Sequence, residues 1–277
     1  MERIKEAIRL AKHGRDTAHG VVADAAVPQH FAVGGSVIPA APPIEPRAIP
    51  TLHVSRRHLE KNRIIAHSAE NPLVSSYDVL RTKVLQTMNQ EGWKVLVVTS
   101  PTPGCGKTVT ATNLALSIAR QPEQQAILLD LDLRKPAVAI DLGLQLDRDL
   151  SSFLRGEAAI DDIMVHLDIA GPQLTVIGNR SSMSSPAEFI ASREMKALID
   201  SLRNLSDRAV IIVDMPPVLI ADDVIAFLPQ ADCCLLTVAE GSSTASEIES
   251  AESLLSGTQF LGCVLNKSSE RFESNYY

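Results

Sequence analysis

The chain has 277 residues, of which 45% are apolar, and this is enough for one α/β domain of roughly 200 residues with additional segments. Residues 1–68 carry ten Lys or Arg against six Asp or Glu, whereas the remaining residues carry 16 against 27, and such an acidic body argues against a nucleic-acid-binding protein. Neither a membrane span nor a signal peptide is predicted, so we expect a cytoplasmic protein, peripheral at the inner face of the plasma membrane if its basic N-terminal part binds there.

Two segments precede the predicted domain. Residues 1–16 are predicted to form a short amphipathic helix, with one apolar face made of Ile4, Ala7, Ile8 and Ala11. This helix is either a docking element for a partner or membrane surface, or a marginal solvated helix, because about 12 residues barely sustain a helix alone. Residues 17–58 are rich in Pro and Ala and are predicted to be an extended linker.

The domain proper is predicted over residues 59–268. A helix is expected from Val74 to Asn89, Gly92 ends it, and the first core strand begins at Trp93. Further strands are predicted at residues 126–129, 174–177, 209–213, 232–238 and 260–265, and a helical patch is predicted near residues 160–167. Apolar strands that alternate with helices predict an α/β fold with a doubly wound, mostly parallel sheet. Residues 269–277 are predicted to be a flexible tail.

The chain is organised around the stretch from Val95 to Ala119. An apolar strand leads into a Gly- and Pro-rich turn and then into a helix, and the turn reads Pro101-Thr102-Pro103-Gly104-Cys105-Gly106-Lys107-Thr108. A phosphate-binding loop needs this order, because its amide groups and the helix N-terminus face the phosphates. Lys107 would reach the β- and γ-phosphates and Thr108 would bind Mg²⁺. Pro101 replaces the first Gly of the usual pattern, and the alternative is an ordinary turn with a solvated lysine.

Two predicted strands end in carboxylates. Asp214 follows four apolar residues, which is typical of a Walker B aspartate that holds Mg²⁺, although an Asp that caps the next turn would look the same. Asp130 and Asp132 end another strand, and two like charges at this spacing repel each other unless a cation is bound. One of the two could hold the metal and the other could accept a proton. Arg134 would contact phosphate or pair with an acidic neighbour.

Together these residues resemble the bacterial tyrosine kinases of capsule and exopolysaccharide synthesis and the related stand-alone ATPases. The resemblance covers about residues 59–268 and rests on the loop up to Thr108, on Ile127–Pro136, and on Ile211–Pro217. It implies a P-loop NTPase of the deviant Walker, MinD-like type that uses ATP and Mg²⁺. It further implies self-association and a membrane chain-length-determinant (polysaccharide co-polymerase) partner, with no nucleic acid and no membrane span of its own.

The resemblance also implies roles for individual residues. The implied catalytic residues are Lys107, Asp130, Asp132 and Arg134, and the implied metal ligands are Thr108, Asp132 and Asp214. The implied ATP-binding residues are Pro103, Gly104, Cys105, Gly106, Lys107, Thr108, Val109 and Asn266, of which Asn266 could equally be a turn residue at a strand end. The implied phosphoacceptors are Tyr276 and Tyr277.

Two departures from the family pattern keep a second function open. The oligomerisation motif E-x-x-R-x-x-R falls on Ser75, Asp78 and Arg81, so only its last position is retained. The tail holds two tyrosines where the family usually has several. The sequence therefore predicts a tyrosine autokinase that controls capsular or exopolysaccharide biosynthesis and export, with a non-kinase ATPase switch or adaptor of the same machinery as the alternative. The ATPases that position division sites are disfavoured, because their loop carries a lysine where this chain has Thr102.

Overall fold

A computed structural model describes residues 48–68 and 71–269, which form one eight-stranded sheet flanked by helices. The strands are β1 (Thr51–Leu52), β2 (Val95–Thr99), β3 (Gln125–Asp130), β4 (Val165–Leu167), β5 (Gly171–Ile177), β6 (Ala209–Asp214), β7 (Cys233–Ala239) and β8 (Gln259–Asn266). Their spatial order is β1-β4-β5-β3-β6-β2-β7-β8, and every neighbouring pair is parallel except β4 and β5. The predicted doubly wound, mostly parallel sheet is therefore confirmed.

Parallel strands need long crossover connections, and the helices provide them here. They are α1 (Arg56–Lys61), α2 (Val74–Glu91), α3 (Lys107–Ala119), α4 (Val138–Leu142), α5 (Leu150–Leu154), α6 (Pro186–Ile190), α7 (Arg193–Leu205), α8 (Asp223–Phe227) and α9 (Ala245–Leu254). Gly92 ends α2 in the left-handed conformation, with φ of 72°, as a C-terminal glycine commonly does. No helix in the described part of the chain is long and apolar enough to cross a membrane.

The core lies on both faces of the central strands. All five residues of β2 and all six of β6 are buried, so their runs of Val, Ile and Leu are covered on each side. Helix α3 is almost wholly buried against the sheet, whereas α7 buries only one face, made of Met195, Leu198, Ile199 and Leu202. This arrangement brings the carboxyl ends of β2, β3 and β6 together at one edge, where ligands bind in doubly wound folds.

Among the described residues, regular structure is already present before residue 59, the predicted start of the domain. Thr51 and Leu52 of the predicted linker pair in parallel with β4, and α1 follows them at once. The predicted helical patch at residues 160–167 is wrong in its second half, because Val165–Leu167 is strand β4 and only Asp161–Ile163 forms a helical turn. The predicted helix at residues 1–16, the linker up to residue 47, and Tyr276 and Tyr277 lie outside the described residues.

Candidate active site

The loop between β2 and α3 has the backbone of a phosphate cradle. Gly104 and Gly106 have φ of 84° and 90°, a left-handed conformation that favours glycine. A Cβ on Gly104 would meet no atom within 4 Å, so the loop is open on that side. The first amides of a helix have no partner within it, and no backbone carbonyl of the described residues accepts from the N–H groups of residues 104–108. These groups can therefore donate to an anion.

Asn266, at the end of β8, is hydrogen-bonded to the backbone of the loop. Its Nδ2 donates to the carbonyl of Cys105 at 2.9 Å. A Cβ on Gly106 would lie 2.1 Å from the same Nδ2, and with φ of 90° any other residue would be strained here. The predicted adenine-side role of Asn266 stays a prediction, and the structure shows a residue that shapes the loop.

Lys107, the first residue of α3, is held by two carboxylates. Its Nζ lies 2.7 Å from Oδ2 of Asp132 and 3.6 Å from Oδ1 of Asp214. Burial favours the neutral amine, but the attraction of Asp214 and Asp132 outweighs it and holds the pKa of Lys107 above its ordinary value. Lys107 is therefore a buried cation at the end of the loop, paired with the residues predicted to bind metal.

Asp214 and Thr108 are both buried and are bonded to each other. The hydroxyl of Thr108 donates to Oδ2 of Asp214 at 2.7 Å. Burial raises the pKa of Asp214, while Lys107 and Thr108 act against this rise. Oδ1 of Asp214 is buried without a hydrogen-bond donor among the described residues. A buried carboxylate oxygen next to a threonine hydroxyl at a helix N-terminus is a donor set that suits Mg²⁺.

No cluster of three or more His, Cys, Asp or Glu side chains poised to hold a metal ion occurs in the described ranges. Mg²⁺ needs no such cluster, because it usually keeps several waters and binds through one or two carboxylates and the phosphates of a nucleotide. The residues present therefore fit a metal that arrives with its nucleotide.

The structure separates the roles of the two aspartates after β3. Asp130 is fully buried, and its Oδ2 accepts from the amides of Ala137 and Val138, both at 3.1 Å, while its Oδ1 accepts from the amide of Asp132 at 3.2 Å. Burial and the neighbouring Asp214 raise the pKa of Asp130 well above its usual range. Asp130 thus shapes the turn into α4, and Asp132 is the carboxylate that contacts Lys107.

Arg134 adopts the second of its two predicted arrangements. Its Nε and Nη2 donate to the buried carboxylate of Asp223 at 2.8 and 3.0 Å, and Nη2 also lies 3.3 Å from Asp222. These contacts link the turn after β3 to the start of α8. A direct contact of Arg134 with phosphate stays a prediction.

Sequence reasoning missed two asparagines that support the site. Asn179, two residues beyond β5, is buried and donates to the carbonyl of Asp130 at 2.8 Å. Asn113, in the middle of α3, is fully buried and bonded to the segment that precedes α2. A polar residue directly after a buried strand was a usable signal for Asn179, whereas an Asn inside a helix gave none.

Two further predicted features lie within the described residues. Tyr77 is the one tyrosine there; it is partly buried against the core, and this burial raises the pKa of its hydroxyl. Arg81, which occupies the last position of the family's oligomerisation motif, is bonded to Asp78 at 2.9 Å and to Ser117 at 3.2 Å. Both side chains are therefore engaged inside the domain.

The comparisons with known proteins agree with this geometry. Residues 96–276 match the family model of the CobQ/CobB/MinD/ParA nucleotide binding domain. The chain is 31% identical to Tyrosine-protein kinase CpsD of Streptococcus pneumoniae over 225 residues, which cover 79% of this chain and 91% of that protein. It is 29% identical to Tyrosine-protein kinase YwqD of Bacillus subtilis over 238 residues, which cover 79% and 95%. The kinase domain of Escherichia coli tyrosine kinase ETK has a TM-score of 0.68 at 26% identity, covering 77% of this chain and 84% of that one.

Proposed function

Because the chain belongs to the CobQ/CobB/MinD/ParA nucleotide-binding domain family and, within it, to the bacterial tyrosine kinases, we propose that it is an ATP-dependent tyrosine autokinase that regulates capsular or exopolysaccharide biosynthesis and export. The observation that carries this proposal is the cluster of Lys107, Asp132 and Asp214 at the end of the phosphate-binding loop. A mostly buried ammonium group, the buried carboxylate of Asp132 and a buried oxygen of Asp214 that accepts no hydrogen bond from the described residues meet there.

The residues of the cluster have separable tasks. Bound ATP supplies the phosphoryl group, and the Mg²⁺ bound with it neutralises charge on the phosphate oxygens. Thr108 and Asp214 would hold that metal, and the amides of residues 104–108 would bind the phosphates. Lys107 would exchange its contact with Asp132 for one with the β- and γ-phosphates.

Release of Lys107 leaves Asp132 as the base. Its carboxylate would accept the proton of the attacking tyrosine hydroxyl while the phenol oxygen forms its bond to the γ-phosphorus. The bond from that phosphorus to the bridging oxygen would break, and ADP would leave. Asp130 holds the turn that carries Asp132, because its carboxylate accepts from the amides of Asp132 and Ala137. Its carbonyl accepts from the side chain of Asn179. Arg134 orients the far end of the same turn against Asp223.

The substrate tyrosines are proposed to be Tyr276 and Tyr277, because the remaining tyrosine, Tyr77, is packed against the core of the domain. We further propose that copies of the chain associate and exchange tails, and that a membrane chain-length-determinant protein is the partner. The basic residues 1–68 would bring the chain to the inner face of the plasma membrane.

A second candidate is an ATP-driven switch without kinase chemistry. Ser75 and Asp78 replace two positions of the family's oligomerisation motif, and Arg81 is bonded within its own chain rather than free for a neighbour. Such a protein would bind ATP and hydrolyse it slowly.

The two candidates differ in where the γ-phosphate goes. The full chain is incubated with Mg²⁺ and γ-labelled ATP, and protein-bound label is separated from free phosphate. The kinase places label on the protein in an alkali-stable form that Lys107→Ala abolishes. Free phosphate without protein-bound label would support the switch instead.

A further inference from the structure

Asn113 uses every hydrogen-bonding position of its side-chain amide. Its Oδ1 accepts from the amides of Ile65 and Ala66 at 2.7 and 2.9 Å, and its Nδ2 donates to the carbonyls of Arg63 and Val109, both at 2.9 Å. Two acceptor and two donor positions are all that this group has. The first three of these bonds cross from α3 to residues 63–66, and the fourth stays within α3.

The same N-terminal segment also contacts α4, which follows the turn after β3. The ring Nε2 of His58 lies 2.9 Å from the carbonyl of Ile140, and Nδ2 of Asn62 donates to the carbonyl of Asp141 at 3.2 Å. Both carbonyls belong to α4, the helix whose first amides are bound by Asp130. Leu59, Ile64 and Ala66 of the segment are fully buried, so the contacts are backed by packing.

Residues 56–66 therefore contact α3, which carries part of the proposed site, and α4, which follows the turn that carries Asp132. Helix α3 begins with Lys107 and Thr108, and Asn113 lies less than two turns further along it. The turn into α4 carries Asp132. Because α3 is rigid and almost wholly buried, a displacement at Asn113 is transmitted to its first turn rather than absorbed.

We infer that Asn113 is a positioning residue, and that through it and Asn62 residues 56–66 set the relative placement of the phosphate-binding loop and the Asp132 turn. Only the measurement of phosphoryl transfer depends on the proposed function. Nucleotide affinity tests the positioning role of Asn113 independently of it. This role gives the segment before α2 a direct influence on the site, without any contact to substrate.

The test compares four full-length variants with the parent chain. Asn113→Ala removes the three hydrogen bonds between α3 and residues 63–66. Asn62→Ala removes the partly buried contact to α4. Asp232→Asn is the control for lost stability away from the site, since it breaks the 2.8 Å ion pair between Asp232, which directly precedes β7, and Arg203. Asn204→Ala is the matched asparagine control, because its amide bonds only its own exposed helix.

Each variant is characterised by MgADP affinity, by amide hydrogen exchange of residues 104–112 and by the rate of phosphoryl transfer at saturating ATP. A misplacement of about 1 Å lowers rates by up to about 100-fold, so Asn113→Ala is expected to weaken MgADP and slow transfer by about tenfold or more. Asn62→Ala is expected to act in the same direction by a few-fold. Both should speed exchange in the loop and the first turn of α3, and the controls should not.

The inference is overturned if Asn113→Ala folds and loses stability like Asp232→Asn but keeps affinity, exchange and transfer at parent values. If Asn113→Ala does not fold, Asn62→Ala decides, and parent-like affinity and exchange in that variant would overturn the inference. A parent chain that binds MgADP but transfers no phosphate would contradict the proposed function, while affinity and exchange would still test the positioning role.

Discussion

Nζ of Lys107 lies 2.7 Å from Oδ2 of Asp132, so the lysine predicted to bind phosphate is paired with the carboxylate proposed as the base. Each residue blocks the task of the other while they remain in contact. Asp214, at 3.6 Å, adds a second attraction that keeps the lysine charged. Nucleotide binding must therefore compete with these carboxylates for the same ammonium group.

Asp132→Asn should separate catalysis from binding. The variant lacks the proposed base, so phosphoryl transfer is expected to fall by about 10²- to 10⁴-fold. ADP affinity should be unchanged or higher, because Lys107 loses its closest competitor for phosphate. The measurements are the initial rate of label incorporation and an ADP titration, with the exposed Asp147→Asn as the matched control. Transfer within threefold of the parent rate would rule out Asp132 as the base.

Asp214→Asn should remove the magnesium effect without loss of stability in the nucleotide-free protein. An acid whose folded pKa is raised contributes stability below its unfolded pKa, and that contribution is lost as the pH rises through the folded pKa. Burial raises the pKa of Asp214, so its charge opposes folding at neutral pH. The amide keeps an oxygen that can accept from Thr108. Its lost attraction to Lys107 opposes the gain from removing a buried charge, so the melting temperature at pH 7 should stay close to that of the parent chain.

The same variant is then melted with ADP, with and without Mg²⁺. A ligand at 100 times its Kd stabilises the folded state by about 2.7 kcal/mol, and in the parent chain Mg²⁺ should increase the stabilisation by ADP. In Asp214→Asn this increase should be largely absent. An undiminished Mg²⁺ effect would contradict the assignment of Asp214 as a metal-binding residue.

Asp149 provides a test of stability that is independent of the nucleotide. Its buried carboxylate accepts from the hydroxyls of Ser151 and Ser152 and from the amides of Ser152 and Arg180. Burial acts to raise its pKa, but these hydrogen bonds prevail and lower it from 3.8 to about 2. Such a shift corresponds to about 2 kcal/mol, which is present above pH 3.8 and lost as the pH falls through about 2.

We therefore expect Asp149→Asn to lower the free energy of unfolding at pH 7 by about 2 kcal/mol. The difference from the parent chain should shrink as the pH falls from about 4 towards 2. Urea unfolding at several pH values measures this, and Asp147→Asn is again the control. A difference that does not depend on pH would show that lost packing, rather than the charge of Asp149, causes the effect.

Much of the site was predictable because its signals are local in sequence. The loop from Pro101 to Thr108 and the aspartates after β3 and β6 combine a buried strand with polar residues at its end, and parallel pairing brings those ends together. The sequence could not decide whether Arg134 contacts phosphate or an acidic side chain, because its partner Asp223 is 89 residues away in sequence.

The missed features depend on distant partners. Strand β1 has two residues and exists only by pairing with β4, more than 100 residues later. The apolar spacing of residues 160–167 fits a helix, but pairing with β1 and β5 makes Val165–Leu167 a strand. Asn113 has its partners 47 and 48 residues earlier in the chain, so its role could not be inferred from the helix around it.

A mixing experiment tests whether tails are exchanged between copies. Lys107→Ala keeps its tyrosines but lacks the phosphate-binding lysine, and the double variant Tyr276→Phe/Tyr277→Phe keeps the site but lacks the proposed acceptors. Neither should become labelled alone. When the two are mixed with Mg²⁺ and labelled ATP, label should appear on the Lys107→Ala chain at a rate that rises with concentration. No label in the mixture would mean that transfer occurs within one chain.

The most direct measurement is phosphosite mapping of the full chain after incubation with Mg²⁺ and ATP, with Lys107→Ala and Tyr77→Phe treated in parallel. We expect phosphate on Tyr276 or Tyr277, none in Lys107→Ala, and an unchanged pattern in Tyr77→Phe, since Tyr77 is packed against the core of the domain. Phosphotyrosine that persists in Lys107→Ala, or ATP binding and hydrolysis with no phosphotyrosine at all, would contradict an autokinase built on the cluster of Lys107, Asp132 and Asp214.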